Sequence, residues 1–275
     1  MKKPSLALIP SGYKAGKVYS ILPNNGVGDF TFTRNSVATR VNKDGLIEDV
    51  AIDVPRLDYS EAGCPSLLLE PSRTNIVTHS EDFSNASWTK TNVDIETADI
   101  VSPSGELDAT KMTINSASQP RRIFDVLSTT TELDYTFSLY VKKGNTDLIF
   151  ALTSSGSLNA TFNLTTLSAT NGSIEDAGNG WYRIIATFNA LSVTEVIQIV
   201  LSNADSVGSF QYIYGSQIEQ GSNATSYIPT NGATATRIGE LCVDSMLDNP
   251  IITSDDWTLF FDVDCSEVGS NNRRI

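Results

Sequence analysis

Aromatic side chains are the residues of this sequence whose type and spacing suggest binding chemistry. Trp181 follows a glycine turn in GNGWYRI, and Tyr212 and Tyr214 lie two residues apart in FQYIYG. Residues two apart share one face of a strand. Exposed rings bind sugars by stacking on their apolar C–H faces, while Asn, Gln, Asp and Arg side chains bond the hydroxyls. Trp181, Tyr212 and Tyr214 are therefore the candidate glycan-binding residues, and burial in a hydrophobic core is the alternative for each ring.

Residues suited to catalysis are sparse. The single histidine, His79, has no second His or Cys near it in sequence, which argues against a catalytic triad or a His-based metal site. There is no phosphate-binding glycine loop and no dinucleotide fingerprint. Two carboxylates would suffice to cleave a glycosidic bond, but the sequence singles out no pair among its 32 acidic residues. We therefore expect a protein that is not an enzyme and needs no catalytic cofactor.

Charge and hydropathy exclude other classes of partner. The chain has 19 basic and 32 acidic residues, a formal net charge of -13, which argues against nucleic acid or an anionic membrane. No apolar run is long enough to span a bilayer. The short apolar run at the N-terminus is interrupted by Pro4 and Pro10, so it is a poor signal peptide. Cys64, Cys242 and Cys265 are too few for a disulfide framework, so we expect reduced, structural thiols.

The elements that must position these residues are strands. TFTRNS, ATRVN and GLIEDVA alternate apolar and polar residues, and the turn Asn42 to Gly45 joins the last two in a hairpin. Beyond Val93, nine further segments read as strands: VDIETADI, LDATKMTI, RRIFDVL, DYTFSLYVKK, DLIFALT, LNATFNL, GWYRIIATF, EVIQIVLS and GSFQYIYGSQIE. Only TATRIGELCVDSMLDN could hold a turn or two of helix. This pattern predicts an all-β protein whose main part is an antiparallel sandwich of the jelly-roll type.

Composition divides the chain into three parts. In LLLEPSRTN the sequence Glu70-Pro71 ends a strand, and Phe83 and Trp88 are the first large apolar residues of the second part. We predict a β-rich region over 1–80, a jelly-roll domain over 81–237, and a linker over 238–275. The linker includes a strand from Trp257 to Val263 that would open a further domain. At the start of a jelly-roll strand, Gln119, Arg121 and Arg122 are expected to be solvated.

The motifs carry a resemblance to a family. TRNSVATRVNKDGLIEDVAIDVPRLDY and CPSLLLEPSRTNIVTHSEDFSNASWTK resemble the N-terminal region of fibre and spike proteins of tailed bacteriophages, including crAss-like phages. YVKKG, GNGWYRI and YIYGSQIEQGSNATSYIPTNGATATR resemble the jelly-roll, carbohydrate-binding-module-like domain that comes next in such proteins. The tail from Ile251 is similar to the first strand of a concanavalin or laminin-G-like domain.

This resemblance implies a structural virion appendage, assembled in the cytoplasm of a bacterial host. In that family the protein is usually a homo-oligomer, often a homotrimer, attached to capsid or tail proteins, and its β-domains contact surface glycans. Jelly-roll carbohydrate modules often carry a structural calcium ion. Oxygen ligands for it are available in Asp82, Gln217 and Glu219, although no loop of alternating acids supports the site.

Several functions remain open at this stage. The first is a head fibre whose N-terminal region attaches to the particle and whose sandwich presents a glycan-binding surface. The alternatives are a receptor-binding tail fibre, the accessory module of a glycan-degrading enzyme, and a structural spacer that binds no ligand.

Overall fold

The computed structural model describes residues 4–59 and 65–244, and within these ranges the chain is all-β, with 22 strands and no helix. Eight strands precede the sandwich: β1 (Ala7–Lys14), β2 (Lys17–Leu22), β3 (Phe30–Thr33), β4 (Ala38–Val41), β5 (Ile47–Val50), β6 (Arg56–Asp58), β7 (Ser66–Leu68) and β8 (Arg73–Asn75). The predicted hairpin is confirmed: β4 pairs with β5 through a turn in which Gly45 has a positive φ of 75°.

The sandwich and the segment after it contain the remaining strands. These are β9 (Thr89–Thr91), β10 (Val93–Ile100), β11 (Ala109–Ile114), β12 (Arg122–Ser128), β13 (Asp134–Lys142), β14 (Leu148–Thr153), β15 (Asn159–Asn163), β16 (Ser168–Thr170), β17 (Ser173–Asp176), β18 (Trp181–Asn189), β19 (Thr194–Leu201), β20 (Phe210–Gln220), β21 (Ala235–Arg237) and β22 (Leu241–Asp244). All nine segments identified beyond Val93 are strands. The prediction of helical turns after residue 234 is wrong as far as Asp244, because that stretch forms β21 and β22.

Some sequence-based expectations fall outside the described residues. These are the strand from Trp257 to Val263, the further domain it would open, and the states of Cys64 and Cys265. Cys242 is a free, half-buried thiol. Within the described ranges there is no helix that could cross a membrane.

Two six-stranded antiparallel sheets form the sandwich. The first sheet has the order β10-β11-β20-β13-β18-β17, and the second has the order β16-β15-β14-β19-β12-β9. Eight central strands form the body of the sandwich, with β11, β13, β18 and β20 in one sheet and β12, β14, β15 and β19 in the other. Along this series the chain crosses to the other sheet at each step except from β14 to β15. This is the jelly-roll arrangement of eight strands. The predicted fold class is confirmed, and four further strands, β9, β10, β16 and β17, lie at the sheet edges.

The hydrophobic core lies between the two sheets. It is built from alternate residues, such as Phe137 and Leu139 of β13 and Ile197 and Ile199 of β19, all of them fully buried or nearly so. Successive side chains of a strand point to opposite faces, so every second residue enters this core. Phe83 and Trp88, which precede the first strand of the sandwich, also belong to this core, and their ring centroids lie 5.2 Å apart.

The chain leaves the sandwich beside the point where it enters. β21 pairs with β8, and β22 then joins β3 at the edge of a four-stranded sheet of order β1-β2-β3-β22. Residues C-terminal to the sandwich therefore complete the N-terminal region. The N-terminal region and the sandwich are held together by strand pairing between residues at least 160 positions apart.

A buried ion network lies where the two parts meet. We call Arg34, Arg56, Glu70, Arg237 and Glu240 the ion network; their side chains are between 0% and 13% exposed. Glu240 accepts hydrogen bonds from Arg34 at 3.3 Å and Arg56 at 2.7 Å. Burial acts to raise the pKa of Glu70, but the charges of Arg237 and Arg56 outweigh it and hold that pKa below its usual range.

Candidate functional site

The outer face of the first sheet is covered by the N-terminal region. In β13 the residues from Tyr135 to Val141 are all buried, although only alternate ones enter the core between the sheets. On the outer face lies what we call the aromatic cluster, formed by Ala109, Tyr140, Trp181, Tyr214 and Tyr227. Ile47 of the β4–β5 hairpin packs against the cluster. The N-terminal hairpin therefore packs on the outer face of the first sheet.

Two of the three predicted glycan-binding residues belong to this cluster. Trp181 is 1% exposed and donates its indole N–H to the carbonyl of Val101 at 3.1 Å. Tyr214 is 3% exposed and donates its hydroxyl to Glu81 Oε1 at 3.0 Å. Neither ring has a face open to solvent, so the assignment of Trp181 and Tyr214 as stacking platforms is corrected: the alternative of core burial applies to both.

Glu81 is the polar centre beneath the cluster. The hydroxyl of Tyr227 also donates to Glu81 Oε1, at 3.0 Å. Burial raises the pKa of Glu81, and the nearby carboxylates of Asp108 and Asp49 add to that rise. Burial likewise raises the pKa of Tyr214, with a further contribution from the charge of Glu81. This carboxyl group therefore holds two buried tyrosines in place.

Tyr212 is the predicted site residue that remains half-exposed. Its ring meets Phe210 edge-to-face with centroids 5.3 Å apart, and the Lys111 ammonium lies 4.9 Å from the centre of the Phe210 ring. Phe210 is in turn packed on Gly144, where an added Cβ would lie 2.2 Å from the Phe210 carbonyl oxygen. These rings form a small patch at the uncovered end of the first sheet.

The second sheet has a broader uncovered surface. In β12 and β14 the burial alternates, with inward residues buried and most outward residues half-exposed or exposed. We call twelve outward residues of four adjacent strands the open face: Arg122, Phe124, Val126, Leu148, Phe150, Leu152, Asn159, Thr161, Asn163, Val196, Gln198 and Val200. Most of them are half-exposed or exposed, but Gln198 and Val200 of β19 are buried, at 9% and 7% exposure. It combines apolar rings with amide and hydroxyl groups, the chemistry that sugars require.

Strand register arranges the open face in rows. One row across β15, β14, β19 and β12 consists of Thr161, Phe150, Val200 and Arg122. The next row consists of Asn159, Leu152, Gln198 and Phe124. Phe124 and Phe150 are thus two strands and one row apart, which places their Cα atoms about 12 Å from each other. A ligand touching both rings would have to be an oligosaccharide.

Arg122 is the charged member of the open face. Its guanidinium carbon lies 4.9 Å from the centre of the Phe124 ring, and Nη1 donates to the side-chain oxygen of Gln198. Stacking on an aromatic ring holds the planar group against the sheet. The neighbouring Arg121 differs from the expectation of solvation: it is 4% exposed and donates to the carbonyls of Ala117, Ser202, Asn203 and Asp205.

The sequence contains no clear signal for the open face. LIFALT is apolar at five of its six positions, and RIFDVLS has Phe124 and Val126 at outward positions and Asp125 at an inward one, so neither strand alternates apolar and polar residues. A strand that is apolar on both faces is typical of burial on both sides, and strict alternation is typical of one exposed face. The half-exposure of Phe124 and Phe150 is therefore a property of the tertiary structure, which the hydropathy of their strands does not predict.

The residues proposed for calcium have other partners. Glu219 is fully buried and accepts hydrogen bonds from Thr225 N at 2.8 Å and Thr225 Oγ1 at 2.6 Å, and from Gln217 at 2.6 Å. Asp82 accepts from the backbone and hydroxyl of Ser84 in a turn. Over the described ranges, no group of three His, Cys, Asp or Glu side chains is arranged to hold a metal ion. Gln217, Glu219 and Asp82 thus have structural bonds that account for their positions.

Comparison with known proteins finds distant structural similarities. The sequence matches no protein-family model and no curated protein. One solved structure with partial similarity is the enzymatically active domain of tailspike protein 4 of bacteriophage CBA120, at 14% identity and a TM-score of 0.35, with 53% of this chain and 21% of that one covered.

Two carbohydrate-binding structures show the same level of similarity. One is a Clostridium thermocellum xylanase 10B fragment with CBM22-1 and GH10 modules, at 10% identity and a TM-score of 0.35, with 58% and 30% of the chains covered. The other is the CBM22-1 xylan-binding domain of Paenibacillus barcinonensis Xyn10C, at 11% and 0.30, with 56% and 94% covered. The chain therefore spans only about a fifth of the tailspike domain and about a third of the xylanase fragment. These similarities are too low to support a function.

Proposed function

We propose that this protein is a non-catalytic virion appendage that binds glycans through the open face of its sandwich. The observation that supports glycan binding is that Phe124 and Phe150 are half-exposed on a sheet face that also carries Asn159, Thr161 and Arg122. The appendage role rests on the resemblance of the N-terminal motifs to phage fibre and spike proteins. Attachment to capsid or tail proteins belongs to the N-terminal region.

The open face suits weak, extended contacts. It is formed by regular strands, so the rings are held in position before a ligand arrives and little conformational entropy is lost on binding. Contact with Phe150 and with the Arg122–Phe124 stack, two strands and one row away, favours an oligosaccharide over a single sugar. In a homotrimer, sites of about millimolar affinity would gain about 100-fold or more through effective concentration.

Glycan binding is tested with ring-removal variants. Phe124→Ala and Phe150→Ala should each reduce retention of the protein in polysaccharide affinity gels, and the double variant should abolish it. Tyr19→Ala is the matched control, because Tyr19 is a half-exposed aromatic residue of β2 in the N-terminal sheet. Retention that is unchanged in the double variant would contradict binding at the open face.

The virion role is tested on particles. Immunogold electron microscopy with an antibody against residues 1–237 should label purified virions. Label on the capsid would identify a head fibre, and label on the tail would identify a receptor-binding tail fibre. Virions without label would contradict the appendage role and favour the accessory module of a glycan-degrading enzyme. Light scattering of the purified protein tests the homotrimer separately.

A further inference from the structure

We infer that the open face selects acidic glycans, and that Arg122 is the residue that binds their carboxylate groups. This inference rests on the proposed glycan binding and adds the class of ligand. It concerns specificity, so it can fail while binding of carbohydrate at the open face still holds.

The distribution of charge is the first support. The chain carries a formal net charge of -13, which repels a polyanion from most of its surface. The open face contains no aspartate or glutamate: of its twelve residues, only Arg122 is charged. A face without carboxylates, with one arginine at the start of its outermost strand β12, is the part of the sandwich that an acidic polymer can approach at least cost.

Two carboxylates that are close to the open face in sequence, Asp125 and Asp147, do not add negative charge to it. Asp125 is the next residue after Phe124 on β12, so it lies on the inner face of the sheet, where it is 7% exposed. Asp147 precedes β14 and lies 2.8 Å from the Lys143 ammonium. Neither therefore offers an uncompensated negative charge to a ligand on the open face.

Arg122 has donors to spare. Nη1 donates one of its two N–H groups to Gln198 and Nη2 makes no hydrogen bond among the described residues, so the Nη1–Nη2 edge keeps donors for a ligand, whereas Nε is buried and out of a ligand's reach. A planar guanidinium presents paired donors that match a carboxylate, and such charge-assisted bonds are stronger than those to a sugar hydroxyl. Phe124 beneath the guanidinium keeps its plane in a constant orientation. A uronic acid unit beside a stacked sugar would satisfy these donors.

The experiment compares polysaccharides that differ only in charge. Polygalacturonate and its fully methyl-esterified form share the same sugar backbone, but only the first has free carboxylates. Calorimetric titration of the full chain should show polygalacturonate binding about tenfold more tightly, as one charge-assisted contact implies. Alginate and hyaluronate, tested against dextran and xylan, extend the comparison to other backbones.

Variants assign the preference to Arg122. Arg122→Gln should bring the affinities for polygalacturonate and its methyl ester within about twofold of each other, and Arg122→Lys should retain part of the preference because charge remains without the planar fork. Lys43→Gln removes one positive charge from an exposed turn and should change nothing. Thermal melting of each variant confirms that it is folded.

The outcomes separate the two proposals. Equal affinity for the acid and its ester, or a preference that survives in Arg122→Gln, would overturn the inference and leave glycan binding intact. Failure of every polysaccharide to bind would overturn the proposed function and this inference with it. If Phe124→Ala and Phe150→Ala instead dissociate an oligomer, the open face is an interface between copies, and both are wrong.

Discussion

Replacement of Glu240 by Gln should destabilise the whole protein. Glu240 is fully buried and lies within 3.3 Å of both Arg34 and Arg56, whose side chains are also fully buried. Its Oε2 atom accepts the backbone N–H of Glu70 at 2.8 Å. The ion network contains three arginines and two glutamates. In Glu240→Gln, three buried guanidinium groups would be balanced by the single carboxylate of Glu70.

The expected magnitude is set by the burial. Removing one partner of a buried ion pair costs about 3–5 kcal/mol, because the remaining charge stays in a medium of low polarity. The amide oxygen of Gln still accepts hydrogen bonds, which places the expected loss near 3 kcal/mol. In urea this corresponds to a midpoint about 1 M lower. Fluorescence of Trp88 in the sandwich core and Trp181 in the aromatic cluster should report one shared transition.

Glu48→Gln is the matched control. Glu48 pairs with Arg40 at 2.7 Å, but the two side chains are 38% and 21% exposed. Exposed pairs contribute only about 0–1 kcal/mol, so the midpoint should move by less than about 0.3 M. Equal shifts for Glu240→Gln and Glu48→Gln would refute the reasoning that burial of the ion network stabilises the contact between the two parts.

Close packing and pKa shifts give three further stability predictions. Gly144→Ala should lower the free energy of unfolding in urea by about 1–3 kcal/mol, because its Cβ would clash with Phe210. Gly156→Ala is the control: its Cβ would meet open space, so only the positive φ of 78° should count, at about 1 kcal/mol. Equal losses of unfolding free energy in the two variants would show that the contact of residue 144 with Phe210 adds no cost. Glu81 has a raised pKa, so its neutral form stabilises the fold at low pH and that stability is lost as pH rises through the folded pKa. Glu81→Gln should therefore raise the melting temperature at about pH 8 and leave it unchanged at about pH 4. Glu70 has a lowered pKa, so Glu70→Gln should be least stable relative to the parent at neutral pH, and this difference should shrink on acidification. Melting curves that run parallel across this pH range would contradict both carboxylate predictions.

Much of the fold could be predicted because strand formation is a local property. Alternation of apolar and polar residues marked the hairpin of β4 and β5 and nine strands of the sandwich, and Asn, Gly and Asp marked their turns. The edge strands β9, β16 and β17 were missed, because each has only three or four residues and little apolar content. Short segments of this kind are strands only because a longer neighbour offers them backbone hydrogen bonds.

The site was predicted less well than the fold. Alternation shows that Trp181 and Tyr182 point to opposite faces, and Tyr182 does pack against the core between the sheets. Alternation does not show what covers the outer face on which Trp181 lies. In this structure the β4–β5 hairpin covers it, and that hairpin is more than 130 residues earlier in the chain. The same limit applies to Phe124 and Phe150, because alternation does not show that their outward face stays half-exposed.

By itself, the sequence determined the all-β class, the positions of the long strands and the division of their side chains between two faces, because these depend on neighbours in the chain. Only the tertiary structure decided which faces are covered and which charges are buried. Arg34 and Glu240 are 206 residues apart, and each would be expected in solvent if considered alone. Their burial is favourable only once folding brings the opposite charges together and excludes water from around them.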